Sequence, residues 1–176
     1  MSLLTPPLRI LHLFVSPTHN YFGHHGKPAG DSPTLEVPEL RCVTGRGIEG
    51  DRFFDYKSDY KGQITFFDQA VYERLSAQLG VHDKGPAVFR RNVFCTGVDL
   101  NALIGKEFEV QGVRFRGREE CRPCYWMDTA FGTGAEHALR GQGGLRAEIL
   151  SDGVLKVDNE KTDATADLAV AVGVSL

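Results

Sequence analysis

Short apolar runs separated by polar turns predict a chain built mainly from β-strands. Side chains alternate between the two faces of a strand, so a run of about four to eight apolar residues bounded by turn residues indicates a buried strand. Three such runs are LRILHLFV (8–15), ELRCV (39–43) and QITFF (63–67). We therefore predict strands at these three positions.

Two longer segments predict antiparallel hairpins. KEFEVQGVRFRG (106–117) alternates apolar and polar residues on both sides of Gln111-Gly112, so its apolar side chains face one core. LRAEILSDGVLKVDN (145–159) repeats the pattern around Asp152-Gly153, a strong hairpin turn. The last apolar segment, DLAVAVGV (167–174), can close the sheet.

One segment has clear helical periodicity. Its apolar positions Val71, Leu75 and Leu79 fall on one helical face. Asp68 can cap the first turn, and Gly80 can end the last. Many short strands with few helices predict a mainly β (α+β) fold, in which a β-barrel or a strongly bent sheet carries a few peripheral helices. We expect this helix to pack outside the sheet.

The composition is that of an ordinary globular protein. The 176 residues suffice for one domain (1–176) with a real core, and 41% of them are hydrophobic. The net charge of −3 argues against a general nucleic-acid binder, which needs a basic surface to neutralise phosphates. The apolar run near the start is too short to span a bilayer. We therefore predict a cytoplasmic protein with reduced cysteines and no nucleic-acid or membrane partner.

A glycine-rich turn, GRGIEG (45–50), matches the G-x-G-x-x-G pattern of dinucleotide-binding sites and follows a predicted strand. The next residues lack helical periodicity, so no helix N-terminus is available for a pyrophosphate. A tight turn that presents Asp51 and Arg52 is the better interpretation. Arg52 then either faces a ligand or pairs on the surface with Asp51 or Asp55.

A second basic pair, Arg90-Arg91, precedes Asn92 among apolar residues. In a strand, successive side chains point to opposite faces, so the two guanidiniums would differ in direction. A guanidinium that faces a cavity binds a carboxylate or phosphate through two parallel hydrogen bonds. A structural pair between arginine and a carboxylate explains these residues equally well.

The polar segment 16–34 is too long to be a simple connector. Its basic side chains are His19, His24, His25 and Lys27. They can form a rim over a pocket, and a merely solvated loop is an equally good interpretation.

Two cysteines three positions apart, Cys121 and Cys124, lie in REECRPCYWMD (118–128). A structural zinc site needs four ligands, and this motif supplies two. A thioredoxin-like dithiol belongs at a helix start in a βαβ fold, whereas this motif follows a predicted hairpin. What remains is one reactive thiolate, stabilised by Arg118 or Arg122, or a pair of buried structural cysteines.

Three stretches in order resemble the MOSC domain, the family named for the carboxy-terminal domain of molybdenum cofactor sulfurases. They are GRGIEGDRF, RRNVFCTGVDLNALIGKEFEV and CRPCYWMD. The late segment GGLRAEILSDGVLKVDN is similar to the family's final strand and hairpin, so the likeness spans roughly residues 8 to 175. The resemblance implies a MOSC-like β-barrel that binds the pyranopterin molybdenum cofactor or handles its sulfur.

The resemblance also implies roles for individual residues. In the family a basic residue and a proline often precede the key cysteine, and a hydrophobic residue and an aspartate follow it three and four places later. Cys124 fits this pattern and Cys121 does not, which makes Cys124 the implied metal ligand or catalytic thiol. The implied cofactor-binding residues are Arg52, Arg91, Asn92, Arg122 and Asp128. Where many small members carry histidine after Gly-Asp-Arg, this chain has Phe53-Phe54, so no role for that histidine transfers.

Three functions follow from the resemblance. In the first, Cys124 ligates the metal and the site reduces N-hydroxylated or oxygenated substrates with electrons from a separate donor protein. In the second, Cys124 carries a persulfide supplied by a cysteine desulfurase, because the chain lacks the pyridoxal-phosphate portion of the fused sulfurases. In the third, the barrel is non-catalytic and its site is empty.

Overall fold

A computed structural model of the protein describes residues 3–159, and the strand predicted at 167–174 lies outside them. The strands are β1 (Arg9–Val15), β2 (Leu35–Glu36), β3 (Glu39–Val43), β4 (Gly47–Ile48), β5 (Ile64–Asp68), β6 (Val93–Thr96), β7 (Glu107–Val110), β8 (Val113–Glu120), β9 (Leu145–Ile149) and β10 (Gly153–Lys156). The helices are α1 (Gln69–Leu79), α2 (Trp126–Ala130), α3 (Ala135–Ala138) and the 3-10 turns Pro86–Phe89 and Leu100–Leu103. The three strands predicted from apolar runs are confirmed as β1, β3 and β5.

The strands form two sheets around a common core. The larger sheet is mixed, in the order β2-β1-β6-β5-β9-β8-β7, with β5 and β6 parallel and the other neighbours antiparallel. The smaller antiparallel sheet has the order β10-β3-β4. The mainly β (α+β) prediction is confirmed. Among residues 3–159 the pairings leave both sheets open, so the predicted barrel is not seen there.

The two predicted hairpins have different outcomes. The hairpin about Gln111-Gly112 is confirmed, because β7 and β8 pair from Val110 and Val113 outward. The prediction of a hairpin about Asp152-Gly153 is wrong, because β9 pairs with β5 and β8, whereas β10 pairs with β3 in the other sheet. The Asp152 carboxylate accepts hydrogen bonds from the Thr44 backbone and hydroxyl, which draws this turn towards β3.

Alternating side chains of β5 supply two separate cores. Phe66 points into the core between the sheets, and Phe67 points into a second core beneath α1. The helix begins and ends as predicted, since the Asp68 carboxylate accepts from the Ala70 amide at 2.9 Å and Gly80 is left-handed. The second core also contains Met127 of α2, so it anchors the segment that follows Cys124.

Candidate functional site

A pocket lies between loop 16–34 and the segments around Arg52, Arg91 and Cys124. Five arginines line it, namely Arg52, Arg90, Arg91, Arg122 and Arg146. Aromatic side chains of the loop and of the segments around it complete the wall, and no carboxylate of the described residues does so. Five guanidiniums in a wall that no carboxylate lines favour a ligand with anionic groups.

Exposure distinguishes Cys124 from the other thiols. Cys124 is exposed at the pocket, whereas Cys42, Cys95 and Cys121 are buried. Burial raises the pKa of Cys42 to about 12, and burial together with the nearby Asp68 carboxylate raises the pKa of Cys95. Cys42 and Cys95 are therefore inert core residues, and of the four sulfurs only that of Cys124 is well placed to meet a ligand.

Arg52 is held by a buried carboxylate. Its Nη1 lies 3.4 Å from Oδ2 of Asp51, a residue only 7% exposed. Its guanidinium also stacks over the Phe53 ring at 4.7 Å from the centroid. Burial lowers the pKa of Arg52 to about 10 despite the opposing effect of Asp51, with Arg90 and Arg91 lowering it further. Arg52 therefore remains a cation at neutral pH and presents its charge to the pocket.

Asn92 supports this arrangement from below and does not line the pocket. It is 6% exposed, and its Nδ2 donates to Asp51 Oδ2 and to the Phe14 carbonyl, each at 3.2 Å. Its Oδ1 accepts from the backbone amide and hydroxyl of Thr65 at 3.0 and 2.9 Å. All its polar atoms are thus used inside the protein. The cofactor-binding role that the resemblance implied for Asn92 remains a prediction; in the structure Asn92 contacts Asp51, which in turn contacts Arg52 of the pocket wall.

Arg91 lines the pocket through two backbone anchors. Its Nε donates to the Gly143 carbonyl at 3.2 Å, and its Nη1 donates to the Phe89 carbonyl at 3.0 Å. Because both acceptors are uncharged, the Arg91 charge is left for a ligand. Residues 90 and 91 do not lie in a strand, and Arg90 has a left-handed backbone with φ of 53°.

The remaining arginines differ in their partners. Arg90 reaches loop 16–34, where it donates to the carbonyls of Thr18 and Ser32 at 2.6 and 3.2 Å. Arg146 donates to the Glu119 carboxylate at 3.2 Å. Arg122 is exposed and makes no ion pair with the described residues. Arg90 therefore holds the loop, while Arg122 contributes a free charge to the pocket.

Asp128 lies outside the pocket lining. Its Oδ1 accepts from the Glu136 backbone amide at 2.7 Å, in the first turn of α3. This bond ties α2 to α3 and so fixes the segment after Cys124. The Asp128 side chain thus faces the start of α3. The cofactor-binding role that the resemblance implied for Asp128 remains a prediction.

Loop 16–34 covers one side of the pocket. Tyr21 packs against Trp126 with ring centroids 5.0 Å apart and the rings tilted by 34°, and His25 Nδ1 lies 3.1 Å from the Tyr125 hydroxyl. His19 lines the pocket directly. Burial, together with Arg52 and Arg90, lowers the pKa of His19 against a smaller opposing effect of Asp51. Of the four side chains in the predicted rim, His19 and His25 thus lie on the face that carries Cys124. His24 and Lys27 are not among the residues that line the pocket.

Sequence reasoning missed the glycines beneath the CRPC turn. A Cβ on Gly143 would lie 2.0 Å from the Cys121 carbonyl oxygen, and one on Gly144 would lie 2.3 Å from the Phe66 carbonyl oxygen. Only glycine allows these backbone approaches. The glycine cluster in GQGG (141–144) was the available signal, because clustered glycines mark close approach of backbones.

Two searches of residues 3–159 bear on ligands and membranes. No group of three or more His, Cys, Asp or Glu side chains there is arranged to hold a metal ion. No helix in that part of the chain has the length and apolar character that a membrane span requires.

Comparison with protein-family models identifies the family of this chain. A family model described as the MOSC domain matches residues 23–162, which is well over half of the chain. The chain belongs to the MOSC domain family. The resemblance inferred from the three sequence stretches is therefore confirmed, and with it the association with a family typically linked to the molybdenum cofactor.

Solved structures share the fold of this MOSC domain. The YuaD protein from Bacillus subtilis is 17% identical with a TM-score of 0.66, over 85% of this chain and 91% of that one. YiiM from Geobacillus stearothermophilus is 13% identical with a TM-score of 0.62, over 85% and 71%. YiiM from Escherichia coli is 16% identical with a TM-score of 0.56, over 84% and 66%. The comparison with curated proteins found no match.

Proposed function

We propose that this MOSC domain binds the pyranopterin molybdenum cofactor, with Cys124 as the protein ligand of the metal. The observation that carries the proposal is the pocket itself, in which one exposed thiol stands among five guanidiniums with no lining carboxylate. Such a wall suits a ligand that combines a thiolate-seeking metal with anionic groups.

The donor set fits a metal that arrives with ligands of its own. The described residues contain no cluster that could hold a bare ion, so the protein would contribute a single sulfur. A thiolate suits the softer metals rather than magnesium or calcium. A metal already held by an organic group needs only one bond from the protein and charged contacts for the rest of the group, which is what Cys124 and the arginines provide.

The residues of the chain divide the work of binding. Arg52, Arg91 and Arg122 would face the anionic groups of the cofactor. Asp51 holds the guanidinium of Arg52, the Gly143 carbonyl holds that of Arg91, and that of Arg122 makes no ion pair with the described residues. When bound, the cofactor supplies the redox chemistry. Tyr21, packed against Trp126, would shield one side of the site from water, which would strengthen the charged contacts inside it. Reduction of an N-hydroxylated or oxygenated substrate would then draw electrons from a separate donor protein.

A persulfide carrier is the second candidate, because an exposed thiol with no further protein ligand also suits a sulfane sulfur. The neighbouring guanidiniums would stabilise the persulfide anion. The sulfur would come from a separate cysteine desulfurase. That enzyme would use the pyridoxal phosphate, and this chain would only carry the sulfur.

Elemental analysis of gently purified protein separates the candidates. Binding of the cofactor predicts molybdenum in the wild type and its loss in Cys124→Ser, with Cys42→Ala as the matched control that keeps it. A persulfide predicts no molybdenum and a gain of about 32 Da on Cys124, the mass of one sulfur atom. Absence of both in the wild type would leave a non-catalytic domain with an empty site and would overturn the proposal.

A further inference from the structure

Loop 16–34 leaves the larger sheet at the end of β1 and returns to it at β2. These two strands are antiparallel partners with Val15 opposite Leu35, so the two arms of the loop start side by side. Between them the loop carries His19 and Tyr21, which line the pocket. Within residues 16–34, all of which the structure describes, there is no helix or strand. Side-chain contacts must therefore hold the loop over the pocket.

One asparagine joins the two arms of the loop to each other. The Asn20 side-chain nitrogen donates to the Ser32 carbonyl at 2.8 Å, and its Oδ1 accepts from the Ser32 backbone amide at 2.9 Å. The Gly30 backbone amide also donates to the Asn20 carbonyl at 2.8 Å. These bonds make the outgoing and returning arms one unit, but they do not attach that unit to the rest of the protein.

The Arg90 guanidinium attaches both arms of the loop to the rest of the protein. On the outgoing arm, its Nη2 donates to the Thr18 carbonyl at 2.6 Å. On the returning arm, its Nη1 donates to the Ser32 carbonyl at 3.2 Å and to the Thr34 hydroxyl at 3.3 Å. The guanidinium carbon also lies 5.9 Å from the centroid of the Tyr21 ring. The planar fork of one arginine thus contacts both arms at once.

Two features of Arg90 are energetically unfavourable. The residue is only 7% exposed, yet its three acceptors in the loop are two carbonyls and a hydroxyl rather than a carboxylate. Its backbone is left-handed, with φ of 53°, a conformation that residues other than glycine adopt only with strain. A buried cation on a strained backbone persists only where the surrounding structure requires it, which points to a specific role for this side chain.

Tyr21 is where the loop meets the segment that carries Cys124. The centroids of the Tyr21 and Trp126 rings are 5.0 Å apart, and both residues line the pocket together with Cys124. Trp126 begins α2, and the next residue, Met127, is anchored in the second core. One half of this wall is therefore fixed by the core, and the other half depends on the position of the loop.

We propose that Arg90 is a positioning residue of the pocket: its guanidinium anchors both arms of loop 16–34 and so keeps His19 and Tyr21 in the pocket wall. Arg90 then acts on a ligand through the loop, and its hydrogen bonds serve the loop rather than the anionic groups of the ligand. The consequence for the molybdenum cofactor rests on the proposed function, whereas the anchoring of the loop does not.

Hydrogen exchange followed by mass spectrometry tests the anchoring on the full-length protein without cofactor. In Arg90→Gln, peptides from loop 16–34 should exchange faster than in the wild type, while peptides from β5 keep their rate, because only the loop loses its anchor. If Arg90→Gln does not fold, Arg90→Lys carries the test, since it keeps the charge and loses the planar fork. Arg116→Gln, which removes an exposed arginine paired with Glu107, is the matched control and should exchange as the wild type does.

The fluorescence of Trp126 gives a second signal, because the chain has a single tryptophan. Its emission should shift to the red in Arg90→Gln as Tyr21 moves away and water reaches the indole, and it should not shift in Arg116→Gln. Unchanged exchange in the loop together with an unchanged emission would overturn the anchoring role. Equal acceleration in the loop and in β5 would also overturn it, because Arg90 would then stabilise the whole fold.

Molybdenum content keeps this inference apart from the proposed function. If the wild type holds molybdenum, Arg90→Gln should hold less of it, although Cys124 is still present. A variant that retains the full content with an open loop would overturn the positioning role. A wild type that never holds molybdenum would contradict the proposed function, and the exchange and fluorescence results would still decide whether Arg90 anchors the loop.

Discussion

At the level of single residues, the pocket depends on side chains that do not line it. Asp51 holds Arg52, and Asn92 holds Asp51 from beneath, so a buried polar chain links the centre of the large sheet to the cavity. Such a chain of buried hydrogen bonds stabilises the fold only when every polar group in it has a partner, because each unsatisfied buried group costs about 1–3 kcal/mol of stability. Arg91 and Asn92 are adjacent in the sequence but differ in position, because Arg91 lines the pocket and Asn92 hydrogen-bonds to Asp51 inside the protein.

Removing the Asn92 side chain tests this chain. Asn92→Ala should lower the free energy of unfolding by about 2–3 kcal/mol, because Asp51 and Thr65 lose their buried partner. Denaturant unfolding followed by circular dichroism measures it. The exposed Asn101, which donates to the Gly141 carbonyl, is the matched control, and Asn101→Ala should change stability by less than about 0.5 kcal/mol. Equal effects of the two variants would argue against the supporting role of Asn92.

The reactivity of the four cysteines follows from their exposure. Iodoacetamide at neutral pH should label Cys124 first, because it alone is exposed, and Cys42 and Cys95 only on unfolding. Peptide mapping over time gives the four rates. Labelling of Cys42 as fast as that of Cys124 in the folded protein would contradict the assignment.

At the level of elements, close backbone packing positions the turn that carries Cys124. Gly143 is surrounded by the carbonyl of Cys121, the ring of Pro123 and the guanidinium of Arg91. The same glycine therefore touches both the cysteine turn and a pocket arginine. A side chain at this position would push both away together.

Gly143→Ala should cost about 1–3 kcal/mol of stability, because its Cβ would overlap the Cys121 carbonyl oxygen. We also expect faster alkylation of Cys121, since the turn must move away. Gly85→Ala is the control, as Gly85 has open space around it and an extended backbone. Unchanged stability in Gly143→Ala would show that the turn is not packed as described.

The cap of α1 gives a second test at this level. Asp68→Ala should lower stability by about 1 kcal/mol, because the Ala70 amide loses its acceptor at the start of the helix. Asp83→Ala removes an exposed carboxylate from the loop after α1 and should stay within about 0.5 kcal/mol. Thermal unfolding of both variants under one buffer compares them directly. A larger loss in Asp83→Ala would contradict the capping role.

At the level of the whole molecule, local patterns predicted the elements but not their assembly. The strands β1, β3 and β5, the β7–β8 hairpin and α1 with both caps followed from periodicity and turn residues. The pairing of β10 with β3 did not, because alternation fixes which face a strand buries and leaves its neighbour open. The short helices α2 and α3 were missed for a different reason. Helices of so few turns are stabilised by tertiary packing rather than by helix propensity, so the sequence carries little signal for them.

The candidate site was foreseeable in part. Arg52, Arg91, Arg122 and Cys124 meet at one pocket, although they lie far apart in sequence. Family-like motifs brought them together before any geometry did. The places of Asn92 and Asp128 needed the structure, because a motif records which residues recur and not whether they face a ligand or support one that does.

The central claim is that Cys124 binds the metal of the molybdenum cofactor, and X-ray absorption at the molybdenum edge tests it most directly. The spectra would compare the cofactor-loaded wild type with the free cofactor in the same buffer. The account predicts one more sulfur neighbour of molybdenum in the loaded protein than in the free cofactor. Equal sulfur counts in the two samples would contradict it.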